Sequence, residues 1–270
     1  MVFCNCDDPE TSNFWLYFFL NFGELGLKKL IATHFSYEEK PTYKLEYDDT
    51  LGKVQTPLKG NGDFRSEECI ALLNEADIVC TNPPFSLFRE YVAQLMHYRK
   101  KFLIIGNLNG AKYKETFPLV KEKKMWFGAS GMGMEFRLHP DYPLTSATGR
   151  VDDEGNKYVV MPTAVWLTNM KHPRREKEKI RLYESYDPAK YPTYDNYNAI
   201  EVSKVKEIPV DYMGEMGVPI SFLTKHNPSQ FEIVGLCRYL PKTRVMRGPQ
   251  DCMFLNGSEK YSRIVIKRVK

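Results

Sequence analysis

The sequence predicts an α/β fold built on an open, largely parallel sheet, and three observations carry that prediction. Short apolar runs rich in β-branched residues recur through the first 170 residues and alternate with segments of helical periodicity. One run, Ala-Asp-Ile-Val-Cys-Thr at 76–81, stops abruptly at Asn82, Pro83, Pro84 and Phe85. That pattern is a buried parallel strand delivering a stiff loop at its carboxyl end. Helical stretches also begin and stop where capping residues stand, with Ser12 and Ser86 before them and Gly23 and Gly26 after.

In order, Val-Phe-Cys at 2–4 reads as a first strand running into the acidic turn Asp7-Asp8-Pro9. A helix follows over 13–26, its aromatics mostly core, and a second strand over 28–33. His34 reads as a structural hydrogen-bonder, and Glu38 or Glu39 beyond it could bind ribose hydroxyls or simply be solvated. Residues 40–62, polar and with Gly52, Pro57, Gly60 and Gly62, suggest an excursion such as a hairpin. Asp63 and Phe64 precede a helix over 66–74; the acid could take an adenine amino group beside a stacked ring, or cap that helix. After the strand at 76–81 come a helix over 86–96, capped by Ser86, and a buried strand over 101–106 with a turn at 107–110. A short helix over 116–123, a strand over 125–128 and a flexible loop feeding a further strand at 131–136 follow. Residues 147–157 look turn-like and 163–168 read as a strand. Later strands are expected over 218–223 and 230–235, with a last one over 261–268 carrying a basic face.

At 270 residues the chain can bury a sizeable core as one domain, or as a domain with a lobe. No apolar run approaches the roughly 20 residues that span a bilayer, and no signal peptide is visible, so no membrane partner is expected. Six cysteines without Cys-x-x-Cys spacing argue for buried thiols in a reducing cytoplasm and against a metal site. Charge is uneven. Residues 163–270 hold 19 Lys+Arg against 12 Asp+Glu, a net of +7, whereas the whole chain carries +4. A basic second half suits a polyanion, with Arg174, Arg175 and Lys177 as candidate phosphate contacts and five interleaved tyrosines (Tyr183, Tyr186, Tyr191, Tyr194, Tyr197) beside them. A scattered, solvated face is the alternative.

The chemistry centres on the 82–85 loop. The Asn82 amide carbonyl and the Pro83 backbone carbonyl are acceptors at the end of a strand. Together they can take both hydrogens of an exocyclic amino group and favour the pyramidal nitrogen that attacks a methyl donor. Phe85 offers a face for a planar base. This Asn-Pro-Pro-Phe resembles the catalytic loop of amino-methyltransferases acting on N6 of adenine or N4 of cytosine, although four residues can also be a structural turn.

Longer motifs are more specific. Asp-Asp-Pro-Glu-Thr-Ser-Asn-Phe-Trp at 7–15 and Thr-Asn-Pro-Pro-Phe-Ser-Leu-Phe-Arg-Glu-Tyr at 81–91 resemble the EcoRI-type adenine-specific DNA methyltransferases. Lys-Phe-Leu-Ile-Ile-Gly-Asn at 101–107 and Asn-Pro-x-Gln-Phe-Glu-Ile at 227–233 extend the resemblance over almost the whole chain. It implies a Rossmann-like class I methyltransferase sheet with a C-terminal basic target-recognition region. It also implies S-adenosyl-L-methionine as donor, no metal, and adenine N6 in double-stranded DNA as acceptor. By position, Asn82, Pro83, Pro84 and Phe85 would form the catalytic loop. Asn5, Cys6, Asp7, Asp8 and Pro9 would correspond to the first cofactor motif, with Asp63 and Phe64 at the adenine side of the cofactor. A catalytic core over 1–170 and a DNA-binding region over 171–270 follow, in a prokaryotic restriction-modification setting with or without a cognate endonuclease. Two departures stand out: the Gly-rich turn of most methyltransferases is missing, and the several tens of residues that relatives carry before strand one are not present here. A glutamine-amide protein methyltransferase and a catalytically silent DNA-binding relative are the other readings.

Overall fold

The computed structural model describes residues 1–38, 41–145, 148–240 and 253–269, so Glu39, Ala147 and Cys252 lie outside the described residues. The chain divides into two compact units, Met1–Gly110 with Val165–Met170, and Ala111–Ala164 with Lys171–Lys270. Residues 111–164 thus group with the carboxyl-terminal residues.

The first unit contains β1 (Val2–Cys4), α1 (Asn13–Leu20), β2 (Leu30–Thr33), β3 (Tyr43–Asp48), β4 (Gly52–Pro57), α2 (Glu67–Glu75), β5 (Ile78–Thr81), α3 (Phe88–His97) and β6 (Lys101–Asn107). Its strands lie in the order β4-β3-β2-β1-β5-β6. β1 is parallel to β2 (Phe3 beside Ile31) and to β5 (Phe3 beside Val79), and β5 is parallel to β6. The 40–62 excursion is the expected hairpin, β3 and β4, and it extends the sheet antiparallel to β2. Every residue of β1 and β2 is buried, which is why these strands read as unbroken apolar runs rather than alternating ones. On one face, Val2, Cys4, Leu30, Ala32 and Cys80 pack under Trp15 and Phe22.

Helix boundaries needed correction. α1 ends at Leu20, not at Gly23 or Gly26, and Ser12 caps it as expected, its hydroxyl accepting from the Phe14 and Trp15 amides. Tyr17 is exposed along with Leu16 and Leu20, so the aromatic helix is only half core. Ser66 caps α2, which removes the capping role considered for Asp63. Ser86 caps nothing: a 3-10 turn, Phe85–Leu87, intervenes, and α3 starts at Phe88 with no side-chain cap.

The second unit contains α4 (Phe117–Lys121), β7 (Trp126–Phe127), β8 (Met134–Arg137), β9 (Gly149–Val151) and β10 (Lys157–Met161). The turn-like stretch expected at 147–157 therefore includes a strand, β9, in the antiparallel order β8-β10-β9. After β11 (Ala164–Thr168), which continues the first unit's sheet beyond β6, come α5 (Pro173–Lys177), β12 (Ile200–Glu201), β13 (Glu215–Pro219), β14 (Phe231–Leu236), β15 (Met253–Leu255), β16 (Ser258–Lys260) and β17 (Arg263–Arg268). Strands β12-β13-β17-β14 form one sheet. The strand expected over 218–223 is instead the end of β13 followed by a 3-10 turn, Ile220–Lys225.

Two expectations for this unit are overturned. Ile264, Val265 and Ile266 are buried in a row and Arg263 is bonded to Glu201, so β17 does not alternate basic and buried residues, and of its cations Lys267 is the exposed one. Tyr191, Tyr194 and Tyr197 are core residues whose hydroxyls bond to the Glu207 carbonyl, Glu201 and Glu215, and they have no free ring to offer a base. Among the described residues no helix is long and apolar enough to cross a membrane.

Candidate active site

In the first unit, β2 lies on one side of β1 and β5 on the other, all three parallel. Sheet growth therefore reverses at β1, and the crevice outside the carboxyl ends of such a pair is where open α/β sheets bind ligands. The loops after β1 and β5 meet there. The Thr81 hydroxyl, at the end of β5, donates to the Asn5 carbonyl, and Tyr91 of α3 donates its hydroxyl to the Asn5 amide oxygen. Asn5 is 3% exposed, so its side chain ties the sheet to α3 instead of facing a ligand.

Pro83 is buried, and the Pro84 carbonyl accepts from the Leu87 amide at 3.0 Å, which seats the loop on its 3-10 turn. Asn82 is exposed, and its amide has no hydrogen-bond partner among the described residues; nor has the Pro83 carbonyl. Phe85 is 43% exposed. Two unclaimed acceptors and an open ring thus stand at the end of a buried strand. Two prolines restrict the backbone that carries them.

The loop after β1 is held by its own acids. Asp8 accepts from the Glu10 amide at 3.0 Å and the Thr11 hydroxyl at 3.1 Å, and its carbonyl takes the Thr11 and Ser12 amides. Tyr43 reaches Asp8 at 3.4 Å and Pro9 is buried. Cys6 adopts φ 58°, the left-handed conformation that glycine usually fills. A side-chain-bonded turn with one left-handed cysteine here does the work of the missing glycines. Burial raises the Cys6 thiol, so it stays protonated. Asp7 bonds the Ser12 hydroxyl and has no cationic partner among the described residues. Burial, opposed by that hydroxyl, pushes its carboxyl up to about 6.

Asp63 and Phe64 follow Gly62, at φ +79°, where a Cβ would lie 2.0 Å from the His34 carbonyl oxygen; only glycine lets the chain pass there. Both Asp63 oxygens are taken by Arg65, at 3.0 and 2.7 Å, and this pairing holds the acid below its usual range. Phe64 is 3% exposed and packs edge-on against Tyr91 with centroids 5.0 Å apart. The open face expected of Phe64 for an adenine ring is therefore missing, and the residue supports the site from within. His34 is structural as expected, with Nδ1 2.5 Å from the Thr42 hydroxyl. Glu38 is exposed after β2. Sequence reasoning missed Thr81, Tyr91 and Arg65. No local signal marks the first two, because their partner Asn5 lies 76 and 86 residues away.

In the second unit, Arg174 donates to the Ala129 carbonyl, Arg175 lies 4.1 Å over the Trp126 ring, and Lys177 is exposed. No group of His, Cys, Asp and Glu suited to a metal occurs among the described residues.

A family model described as adenine-specific methyltransferase EcoRI matches residues 1–269. The chain is 44% identical to the Type II methyltransferase M.EcoRI of Escherichia coli, over 99% of its own length and 85% of that protein. It is 40% identical to the Type II methyltransferase M.MpnI of Mycoplasma pneumoniae, over 99% of this chain and 87% of that one. A Mycoplasma genitalium Type II methyltransferase, M.MgeORF184P, is 37% identical over the same shares. No solved structure matches.

Proposed function

The chain belongs to the EcoRI family of adenine-specific methyltransferases, and from that premise we propose that it methylates N6 of a flipped-out adenine in double-stranded DNA as the modification activity of a restriction-modification system. The observation that carries the reading is the pair of unclaimed acceptors, the Asn82 amide oxygen and the Pro83 carbonyl, beside an open Phe85. An adenine amino group has two hydrogens, and two acceptors on one side of it leave its lone pair turned the other way. Phe85 stacks the extruded base, which offsets part of the few kcal/mol that flipping costs. Residues of 1–170 form the catalytic core in this reading, and residues of 171–270 hold the duplex, with Arg174, Arg175 and Lys177 among the phosphate contacts.

Bound S-adenosyl-L-methionine would supply an electrophilic methyl group. The chain has groups that fit it: Asp7, a desolvated carboxylate with no cationic partner among the described residues, suits the donor's ammonium. Asp63 suits the adenine amino group if Arg65 yields one of its two bonds. Cys6, Asp8 and Pro9 shape the turn between them and β1, and Asn5 and Phe64 hold it from beneath.

Asp7 gives the donor site a pH dependence. With its carboxyl at about 6, the acid is mostly protonated at pH 5 and mostly charged at pH 7, and only the charged form attracts an ammonium. Donor affinity should rise about tenfold between those values. Asp7→Asn should bind weakly with a flat profile; a wild-type profile that is itself flat from pH 5 to 7 removes Asp7 from the donor site. For the activity, tritium from labelled S-adenosyl-L-methionine should appear in N6-methyladenine when unmethylated bacterial DNA is the acceptor. Label found only in protein, or only in methylcytosine, overturns the reading.

A further inference from the structure

The second unit encloses a cavity of about 290 Å³ that shares no residue with the 82–85 loop. Its rim carries Lys179, Arg181, Lys206 and Lys225, with Arg175 further in, and none has an ion-pair partner among the described residues. These cations come from separate stretches of chain that converge on one hole, which sets them apart from a charge run along a solvated face. Among the described residues Glu178 is the one carboxylate on the wall, and it stands 3.8 Å from Arg174, too far for a firm pair.

Two inner groups are left incomplete. Arg175 is half-buried over Trp126 and makes no ion pair among the described residues, with only the charge of the neighbouring Glu176 acting on it, and desolvating a guanidinium is costly. His172 has Nε2 2.8 Å from the Phe127 carbonyl, so that nitrogen carries a hydrogen, while its buried Nδ1 has no partner. A volume near 290 Å³ is at the lower limit of small-molecule sites and accommodates a phosphate with its sugar.

We propose that this cavity seats a backbone phosphate of the DNA substrate, gripped by Arg175 within and by Arg181, Lys206 and Lys225 at the rim. The proposal rests on DNA being the substrate. Lys177, which does not line the cavity, then contributes less than Lys206 and Lys225, two residues that no charge run marks out.

The test is Lys206→Gln/Lys225→Gln, both at exposed positions where folding should be unaffected. Duplex affinity is measured as a function of salt, with Lys28→Gln/Lys53→Gln of the first unit as a charge-matched control. The rim variant should lose about one unit of the slope of log affinity against log salt, because about 0.9 unit attends each phosphate contact. Donor affinity and the rate at saturating DNA should stay as in the wild type, and the control should keep its slope. An unchanged slope in the rim variant, or an equal loss in the control, overturns the pocket while leaving the methyltransferase reading intact. Wild-type protein that binds no duplex overturns both. Titration with deoxyadenosine 5′-monophosphate separates the sources of phosphate. Micromolar binding that the rim variant loses, with its duplex slope unchanged, would assign the cavity to a free nucleotide and overturn the DNA assignment.

Discussion

Asn82→Ala should abolish methyl transfer, lowering the turnover rate at saturating DNA by about 10³-fold or more, with donor affinity within about twofold of wild type. Removing one preorganised hydrogen-bond partner of a reacting group typically costs about 10²–10³ in rate. Here the same amide also presents the base, so the loss falls at the upper end. The fold should survive, because Asn82 is exposed and has no side-chain bond to lose among the described residues. Asn82→Asp separates geometry from charge: it keeps two acceptor oxygens and would place a carboxylate beside the amino group, so it should retain more activity than Asn82→Ala. Single-turnover methylation and equilibrium donor binding measure the two quantities. Full activity in Asn82→Ala would end the assignment of this loop, and lost donor binding would make Asn82 a donor contact instead.

The largest stability effect should come from Glu201→Ala in the second unit. Glu201 sits in β12 with its side chain 4% exposed and receives Arg263 through two bonds, at 3.0 and 2.6 Å, together with the Tyr194 hydroxyl and Ser203 at 3.2 Å. Burial alone would raise this carboxyl. The bonds from Arg263 and Tyr194 outweigh it, and the group ends below its usual range. Truncation leaves the largely buried Arg263 guanidinium without its carboxylate, with the Tyr261 carbonyl at 3.3 Å as a partner, which costs about 3 kcal/mol or somewhat more. At roughly 2–4 °C per kcal/mol for a chain of this size, thermal unfolding should begin about 10 °C earlier. The sign with pH follows from the lowered carboxyl. Its contribution is complete above the ordinary glutamate value and is lost as the pH falls through the lower folded value. The difference between wild type and variant should therefore shrink in acid. A Glu201→Ala loss below about 1 kcal/mol at pH 7 would show that the pair is dispensable.

Much of the first unit was legible because its signals are local. β-branched runs bounded by turn residues located β1, β2, β5 and β6, and a serine placed before an aromatic run located α1. Element ends were less legible. Ser86 has the chemistry of a cap, yet the second proline turns the chain through a 3-10 segment first, and helix geometry begins only at Phe88. The tyrosines at 191–197 illustrate the opposite limit: in a loop-rich stretch no periodicity separates core from surface, and all three turned inward.

By itself the sequence determined the α/β class, the parallel strand order's raw elements and the stiff Asn-Pro-Pro-Phe loop, since proline restriction and side-chain period act over a few residues. Only the tertiary structure decided which acceptors of that loop are free, and that Asn5 and Phe64 brace the site from inside. It also decided that residues 111–164 join the second unit and that cations as distant as Arg175 and Lys225 share one cavity. Those outcomes depend on which side chains meet across tens of residues of chain, and a one-dimensional pattern carries no information about that distance.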